Sequence, residues 1–336
     1  MIDCHTWPTP NGHKVHIMLE ECGLDYKVVP VCIETGEQFE PEFLKISPNN
    51  KIPAIVDHDG PNGKSISVFE TGAILYYLAA KTGKFMPSVT EDPHGHHDVM
   101  QWLMFQMGGV GPMFGQARHF RAYALEQVDR EKVQYGIDRY TNESKRICGV
   151  MDKHLTDNEY FAGDYSIADM AIYAWCRNPD RRGISYDDYP DLGRWFELVA
   201  ARPAVQKGEQ VLADSVRQGE HTPKAWKLLF GDEQYKKRSG VRAGADDIKS
   251  RRLSCLATFQ MGHGHRTCKD QPAADPGPQI GQLGKEQETQ GGGKNHSREF
   301  KRQHHRRIRR RKSAGQRALS QGAGQPDEHE NAQLRQ

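Results

Sequence analysis

Residues 49–80 read NNKIPAIVDHDGPNGKSISVFETGAILYYLAA, a strand, a turn, a second strand and a helix in one unbroken order. Ile52–Val56 is a short apolar run entered through Ile52-Pro53, and Asp57–Gly63 is a Gly/Pro/Asn/Asp cluster with turn chemistry. Ser65–Phe69 alternates as a half-buried strand does, and Thr71–Ala80 sets Ile74, Leu75 and Leu78 at helical spacing. Two features bear on chemistry. A proline within a sheet is confined to the first residue of a strand, an edge or a bulge, so Pro53 opens its strand. A cis peptide there turns the Ile52 N–H and C=O outward, free to pair with an extended peptide. Glu70-Thr71-Gly72 then places a carboxylate, a hydroxyl and unpaired N–H groups at a helix N-terminus, the end that attracts anions.

Upstream, Ile2–Thr6 is a strand candidate that runs into Trp7-Pro8-Thr9-Pro10-Asn11-Gly12, where two prolines forbid regular structure. A helix follows over 12–22, with Val15, Met18, Leu19 and Cys22 on one face and Gly23 as its stop. Tyr26–Val31 is the next strand. Thr9 and Asn11 therefore sit between a strand and a helix N-terminus, the place in a thioredoxin-like βαβ unit where a thiolate is stabilised. Cys4 lies before that loop without a second cysteine two residues away, and reads as a buried structural thiol.

The run I-P-A-I-V-D followed by E-T-G-A-I-L-Y-Y-L resembles the glutathione-binding half of the glutathione S-transferase superfamily. The resemblance implies that Ile52-Pro53 pairs with the cysteinyl backbone of glutathione and that Glu70 and Thr71 hold its γ-glutamyl end. Serine is the usual family residue after the acid, and Thr71 keeps the hydroxyl. P-T-P-N-G-H-K at 8–14, with G-E-Q-F-E-P-E-F-L-K-I-S-P-N-N-K-I-P-A-I-V-D-H at 36–58, is similar to the nu-class bacterial transferases, disulfide-bond reductases that act with glutathione. By that likeness the Thr9 hydroxyl and the Asn11 amide are the catalytic donors to the glutathione sulfur. Neither can deprotonate a thiol, so their part is electrostatic: two hydrogen bonds and a helix N-terminus lower the thiol pKa and orient the thiolate. Without the resemblance, both are turn and cap residues. The same likeness makes Gln38 a ligand for the glycyl carboxylate, with Lys51 adding charge at that end. It also makes Arg139, in I-D-R-Y, an arginine that reaches glutathione from the partner subunit, which requires a homodimer. Taken alone, Gln38 is a surface glutamine and Arg139 an exposed helix arginine.

After Thr82-Gly83 a linker runs through Pro87 and Pro93, and residues 92–212 show helical periodicity with almost no strand signal. Val99–Met107 reads as one helix, broken at Gly108-Gly109-Val110-Gly111-Pro112, and Lys132–Leu155 as a long second one. Ser166-Ile-Ala-Asp169 matches a capping box, and a final helix covers Trp195–Ala200. Met104, Met107, Met113 and Phe114 either line an apolar cleft for a second substrate or pack as plain core. His94, His96 and His97 stand in the linker without a thiol or an i, i+4 partner, so no metal site is expected there. Lys224–Arg238 resembles the closing segment of the bacterial group and is expected to pack back on the body.

Composition sets the limits. A chain of 336 residues has room for two domains, and its net charge of +2 hides an asymmetry. Residues 239–336 carry 19 Lys/Arg against 10 Asp/Glu and two aromatics, whereas residues 1–238 carry 27 against 34. Seven cysteines without a CxxC pair argue for reduced thiols and a cytoplasmic setting. MIDCHTWPTP is not a signal peptide, and no apolar run approaches the roughly 20 residues that span a bilayer. The expected architecture is a thioredoxin-like α/β domain over 1–86, an all-α domain over 92–238, and a disordered basic tail over 239–336. In the tail, KRQHHRRIRRRK at 301–312 suits nonspecific polyanion contact, and an extension without a selected role is an equal reading. His263, His265, Cys268 and Cys255 do not make a zinc spacing. The expected function is glutathione-dependent reduction of small disulfides or hydroperoxides, with glutathione as co-substrate and no metal. Conjugation of glutathione to electrophiles is the alternative within enzymes, and a non-catalytic binding module the alternative outside them.

Overall fold

The computed structural model describes residues 1–217 and 219–236; the basic tail expected over 239–336, with its 301–312 segment and its His/Cys group, lies outside the described residues. The first strand, β1 (Ile2–Thr6), leads through the proline loop into α1 (Pro10–Cys22), which ends at Gly23 with φ +67. Strand β2 (Tyr26–Pro30) returns parallel to β1, the pairing that a βαβ crossover makes. A short helix α2 (Pro41–Ile46) precedes β3 (Ala54–Asp57), and β4 (Ile66–Phe69) follows after the turn at 57–63. Both β3 and β4 run antiparallel to their neighbours, giving a four-stranded mixed sheet in the order β2-β1-β3-β4. The Ile52-Pro53 peptide is cis, immediately before β3. Helix α3 (Thr71–Thr82) completes the thioredoxin-like half and turns Ile74, Leu75 and Leu78 into the core.

The rest of the described chain is helical. Helix α4 (Pro93–Phe105) begins with the three histidines, so the linker expected at His94–His97 is in fact a helix start capped by Asp92, whose carboxylate accepts from the Gly95 N–H at 2.9 Å. Pro93 marks a first turn here and does not continue the linker, because its missing N–H costs no helical bond at that position. His96 Nδ1 donates to the Pro87 carbonyl at 2.9 Å, and no cluster able to hold a metal ion occurs among the described residues. The break expected at 108–112 is also replaced by continuity. Gln106–Val110 forms one π turn that passes directly into α5 (Gly111–Arg118), with Pro112 in its first turn.

Helix α6 (Arg130–Leu155) is amphipathic and buries Val133, Ile137, Ile147, Met151 and Leu155. Helix α7 (Ile167–Cys176) is buried nearly all round, and its capping box forms as the sequence indicates. Helices α8 (Pro190–Ala200), α9 (Pro203–Gln210) and α10 (Pro223–Phe230) complete the layer. One hydrophobic core runs from Ile2, Met18 and Leu75 to Leu103, Ile172 and Trp195, so the sheet and the helices share an interior. The closing segment does pack back: Phe230 stacks on Tyr123 with ring centroids 5.3 Å apart, and Lys51 Nζ donates to Gln234 Oε1 at 3.3 Å. Among the described residues, no helix is long and apolar enough to cross a membrane.

Candidate active site

Two adjoining cavities open where the proline loop meets the helical layer. The first, of about 500 Å³, is lined by Asn11, Lys14, Lys51, Ile52, Pro53, Glu70 and Thr71 from the sheet half and by Gln106, Met107 and Trp175 from the helices. The second, of about 1080 Å³, begins at Trp7–Pro10 and runs outward past α5. Gly115, Gln116 and Trp175 line both, so one wall separates them.

The proline loop is held by close approach. A Cβ on Gly12 would stand 2.2 Å from the Trp7 carbonyl oxygen, so only glycine fits beneath that turn. Thr9 is the N-cap of α1: its Oγ1 accepts from the Gly12 N–H at 3.2 Å and keeps its own proton for donation. It lines the second cavity and not the first. Asn11 faces the first cavity, and its Oδ1 accepts from the Trp175 indole N–H at 2.9 Å. That bond fixes the amide, because an indole can only donate; the Nδ2 protons are left as the free donors of Asn11.

At the opposite side Glu70 starts α3 in an unusual backbone conformation, φ +68 and ψ +120. A non-glycine residue at positive φ is strained, and such residues gather at functional sites. Its carboxylate makes no cap bond, and the residue lines the first cavity. The Thr71 hydroxyl, which lines the first cavity, accepts from Lys14 Nζ at 3.2 Å and donates to Met107 Sδ at 3.4 Å. Pro53 is buried, Ile52 half-buried, and both reach the cavity.

Two residues assigned by resemblance lie elsewhere. Gln38 does not line the cavity and is not a surface side chain: it is 3% exposed and its amide donates to the Ile33 carbonyl at 3.1 Å. Arg139 is exposed on α6, away from both cavities in this subunit. Of the four residues weighed for an apolar cleft, Met107 alone lines either of these two cavities; Phe114 is core beneath the Arg182 guanidinium, and Met104 faces outward. The Cys4 thiol is fully buried, and burial pushes its pKa up to about 12, so it is no nucleophile.

Lys14 and Trp175 are the site residues that the sequence reading passed over. Lys14 is 1% exposed; its ammonium donates to Gln106 Oε1 at 2.7 Å as well as to Thr71. Desolvation lowers its pKa to about 7, against the partial support of the Glu70 charge. The signal was present, since Lys14, Met18 and Cys22 step along α1 at i, i+4, which places a cation on the apolar face. Trp175 lies in a segment with no pattern pointing to Asn11, 164 positions away.

The chain's sequence matches the family model "Glutathione S-transferase, N-terminal domain" over residues 4–80 and "Glutathione S-transferase, C-terminal domain" over residues 111–203. The chain belongs to the glutathione S-transferase family. Within it, the disulfide-bond oxidoreductase YfcG of Escherichia coli is 45% identical over 206 residues, which covers 61% of this chain and 92% of that protein. The disulfide-bond oxidoreductase YghU of the same organism is 40% identical over 218 residues, covering 60% of this chain and 72% of the relative. Among solved transferases, one from Pseudomonas putida with one glutathione disulfide bound per subunit is 44% identical, with a TM-score of 0.58 over 63% of this chain and 91% of that one. Another, from Pseudomonas fluorescens Pf-5 with two glutathione molecules bound, is 44% identical with a TM-score of 0.57, covering 62% of this chain and 92% of its own.

Proposed function

We propose that this glutathione S-transferase is a glutathione-dependent oxidoreductase that reduces small disulfides, and organic hydroperoxides by the same thiolate. The observation that carries the reading is the Asn11 amide, locked by Trp175 so that its N–H groups are the free donors on a cavity fitted to glutathione. That tripeptide carries one ammonium and two carboxylates. The first cavity offers Glu70 for the ammonium, and the α3 N-terminus, Lys14 and Lys51 for the carboxylates. Ile52 before the cis proline is the backbone partner for the cysteinyl segment. Gln38 enters as a ligand only if its turn opens, whereas Arg139 reaches glutathione from the other protomer of a homodimer.

In this scheme the thiolate of one glutathione, held by Asn11 and by the Thr9 hydroxyl proton, attacks one sulfur of the disulfide. A mixed disulfide forms and one substrate thiolate leaves. A second glutathione thiolate attacks the glutathionyl sulfur, giving glutathione disulfide and the second substrate thiolate, so two electrons pass from two glutathiones to one disulfide. No protein cysteine takes part: the enzyme supplies position and electrostatics. The names and bound ligands of the relatives support this reading. The domains we assign are 1–86 as the thioredoxin-like glutathione-binding domain, 92–238 as the all-helical domain, and 239–336 as a basic tail, either suited to polyanion contact or without a selected role; a reducing compartment such as the cytoplasm suits the chemistry.

The test is steady-state reduction of 2-hydroxyethyl disulfide by glutathione, coupled to glutathione reductase, for wild type, Asn11→Ala and Thr9→Ala, with chlorodinitrobenzene conjugation run beside it. Disulfide turnover that falls in both variants is the expected result. Strong conjugation with negligible reduction would replace the proposal with an ordinary transferase, and silence in both assays would leave a glutathione-binding module.

A further inference from the structure

The second cavity carries more positive charge than its own carboxylates answer. Arg118 from the end of α5, Arg121 from the turn after it, Arg181 from the 179–182 turn and Arg217 from the segment before α10 converge on its wall. Three carboxylates share that wall, and two are already committed. Glu126 holds His221, with Nδ1 2.9 Å from Oε2, and Glu34 holds Arg217 at 3.3 Å. The third, Asp180, is exposed and within 4 Å of no arginine nitrogen. Among the described residues, Arg118, Arg121 and Arg181 form no ion pair; Arg118 is half-buried, whereas Arg121 and Arg181 are exposed where the cavity opens. Arg118 rests over the Tyr123 ring at 5.1 Å, and its buried Nε has no hydrogen-bond partner, nor has the buried Nη1 of Arg217. Burial lowers the Arg118 pKa, and repulsion from Arg181 and Arg217 adds to that against the opposing pull of Tyr123 and Asp180. Arg121 is seated on the backbone of Gly183, where a Cβ would stand 2.7 Å from the guanidinium carbon.

The buried donors of Arg118 and Arg217 are costly without acceptors, and the exposed charges of Arg121 and Arg181 add repulsion that an anion would relieve. The same wall offers an aromatic surface in Trp7, Tyr123 and Phe230. Guanidinium forks match carboxylates and sulfonates bidentately, and the aromatic surface suits a hydrocarbon body between them. The cavity abuts the Asn11 site, with Gly115, Gln116 and Trp175 lining both.

We propose that the second cavity selects anionic acceptors, small organic disulfides bearing two carboxylates or sulfonates, through Arg118, Arg121 and Arg181. This inference rests on the disulfide-reductase reading of the first cavity and names the substrate class it takes.

The experiment compares three disulfides of similar size: 3,3′-dithiodipropionate with two negative charges, neutral 2-hydroxyethyl disulfide, and cystamine with two positive charges. For each, kcat/KM is divided by the uncatalysed rate constant with glutathione, which removes intrinsic reactivity. The wild-type full chain should favour the dianion over the neutral compound, and the neutral compound over the dication. In Arg121→Gln/Arg181→Gln the dianion-to-neutral ratio should fall by about tenfold, and added salt should shrink it more in wild type than in the variant, which keeps Arg118. Arg130→Gln, which removes a charge outside the cavity, should leave the ratio alone. A variant that merely folds poorly lowers both rates and keeps the ratio. A wild type without charge preference, or a ratio that survives the double variant, overturns the proposal. Were wild type to reduce no disulfide at all, the reductase reading would fail. Equilibrium binding of 3,3′-dithiodipropionate, measured calorimetrically for wild type and the double variant, would still decide the anion site: binding weakened in the variant upholds it, and no binding or equal binding ends it.

Discussion

At the scale of single residues, the role proposed for Asn11 turns on which of its amide atoms is free to face the cavity. Trp175 settles this by donating to Oδ1, and the indole is itself set by Gly115, where a Cβ would come within 3.2 Å of the ring. Trp175→Phe keeps an aromatic ring on Gly115 but removes the donor, so the amide can turn over. The apparent pKa of bound glutathione, read from the pH profile of kcat/KM, should rise by about half a unit to one unit, because one hydrogen bond to the thiolate is lost part of the time. A lower rate with an unmoved profile would reduce Trp175 to packing. Lys14 gives a second residue-scale prediction through its pKa of about 7, lowered by burial. Unfolded lysine stays protonated up to its ordinary value near 10.5. Between those two values the unfolded chain therefore binds more protons than the folded one, and this group's contribution to stability grows as pH rises. It is fully present only above the unfolded value and is lost as pH falls through about 7. Urea midpoints of wild type and Lys14→Met at pH 7 and 9 should diverge in favour of wild type by roughly 2 kcal/mol at the higher pH. Parallel curves would mean that Lys14 stays charged, held by Glu70 and Gln106.

The elements show where local sequence speaks and where it falls silent. Asp169 closes the capping box of α7, and its carboxylate also accepts from the Phe161 N–H at 3.1 Å and the Trp195 indole at 2.9 Å. Burial pushes its carboxyl up to about 6, although four donors surround it. Asp169→Ala should therefore cost about 3 kcal/mol or more, well above the ordinary loss of a cap, since buried donors from two other segments go unpaired. Chemical denaturation measures this, and a loss below about 1 kcal/mol would show that the segments re-pair on their own. The box was legible because S-x-x-D is a contiguous signal, as were the cis proline, the helix stop at Gly23 and the strand order around 49–80. What failed was punctuation. Pro93 and the Gly-rich run to Pro112 read as breaks, yet both prolines stand in first turns, and a π turn carries the backbone through Gln106–Val110 in helical conformation. Composition registers the missing N–H; only the hydrogen-bond register decides whether anything needed it. Gln38 failed for a related reason. A polar side chain in a Gly/Glu-rich loop reads as exposed, but a single 3₁₀ turn folds it beneath the chain onto Ile33.

For the whole molecule, the shared core fixes how the sheet half meets the helices, and the bidentate pair of Arg202 with Glu21, at 2.6 and 2.9 Å beneath Tyr165, ties α1 to α9 at its edge. The proline loop is thus held from both halves, and Asn11 needs nothing further from its own subunit to be oriented. Arg139 is different: it is exposed on α6 and lines neither cavity. A role in binding glutathione therefore requires a second copy of the chain, arranged with two-fold symmetry so that each site receives the other's arginine. This has a consequence that a single-subunit role lacks. Asn11→Ala and Arg139→Ala should each give feeble homodimers when made alone. When the two variants are co-expressed with different tags and the mixed dimer is isolated, one of its sites has lost both residues. The other keeps its own Asn11 and receives the intact Arg139 of its partner, so the mixed dimer should recover about half the wild-type turnover. If Arg139 serves its own subunit, each site of the mixed dimer carries one defect and no recovery occurs. Light scattering on the same samples checks the premise, and a monomer that reduces disulfides at the full rate would remove Arg139 from the site altogether.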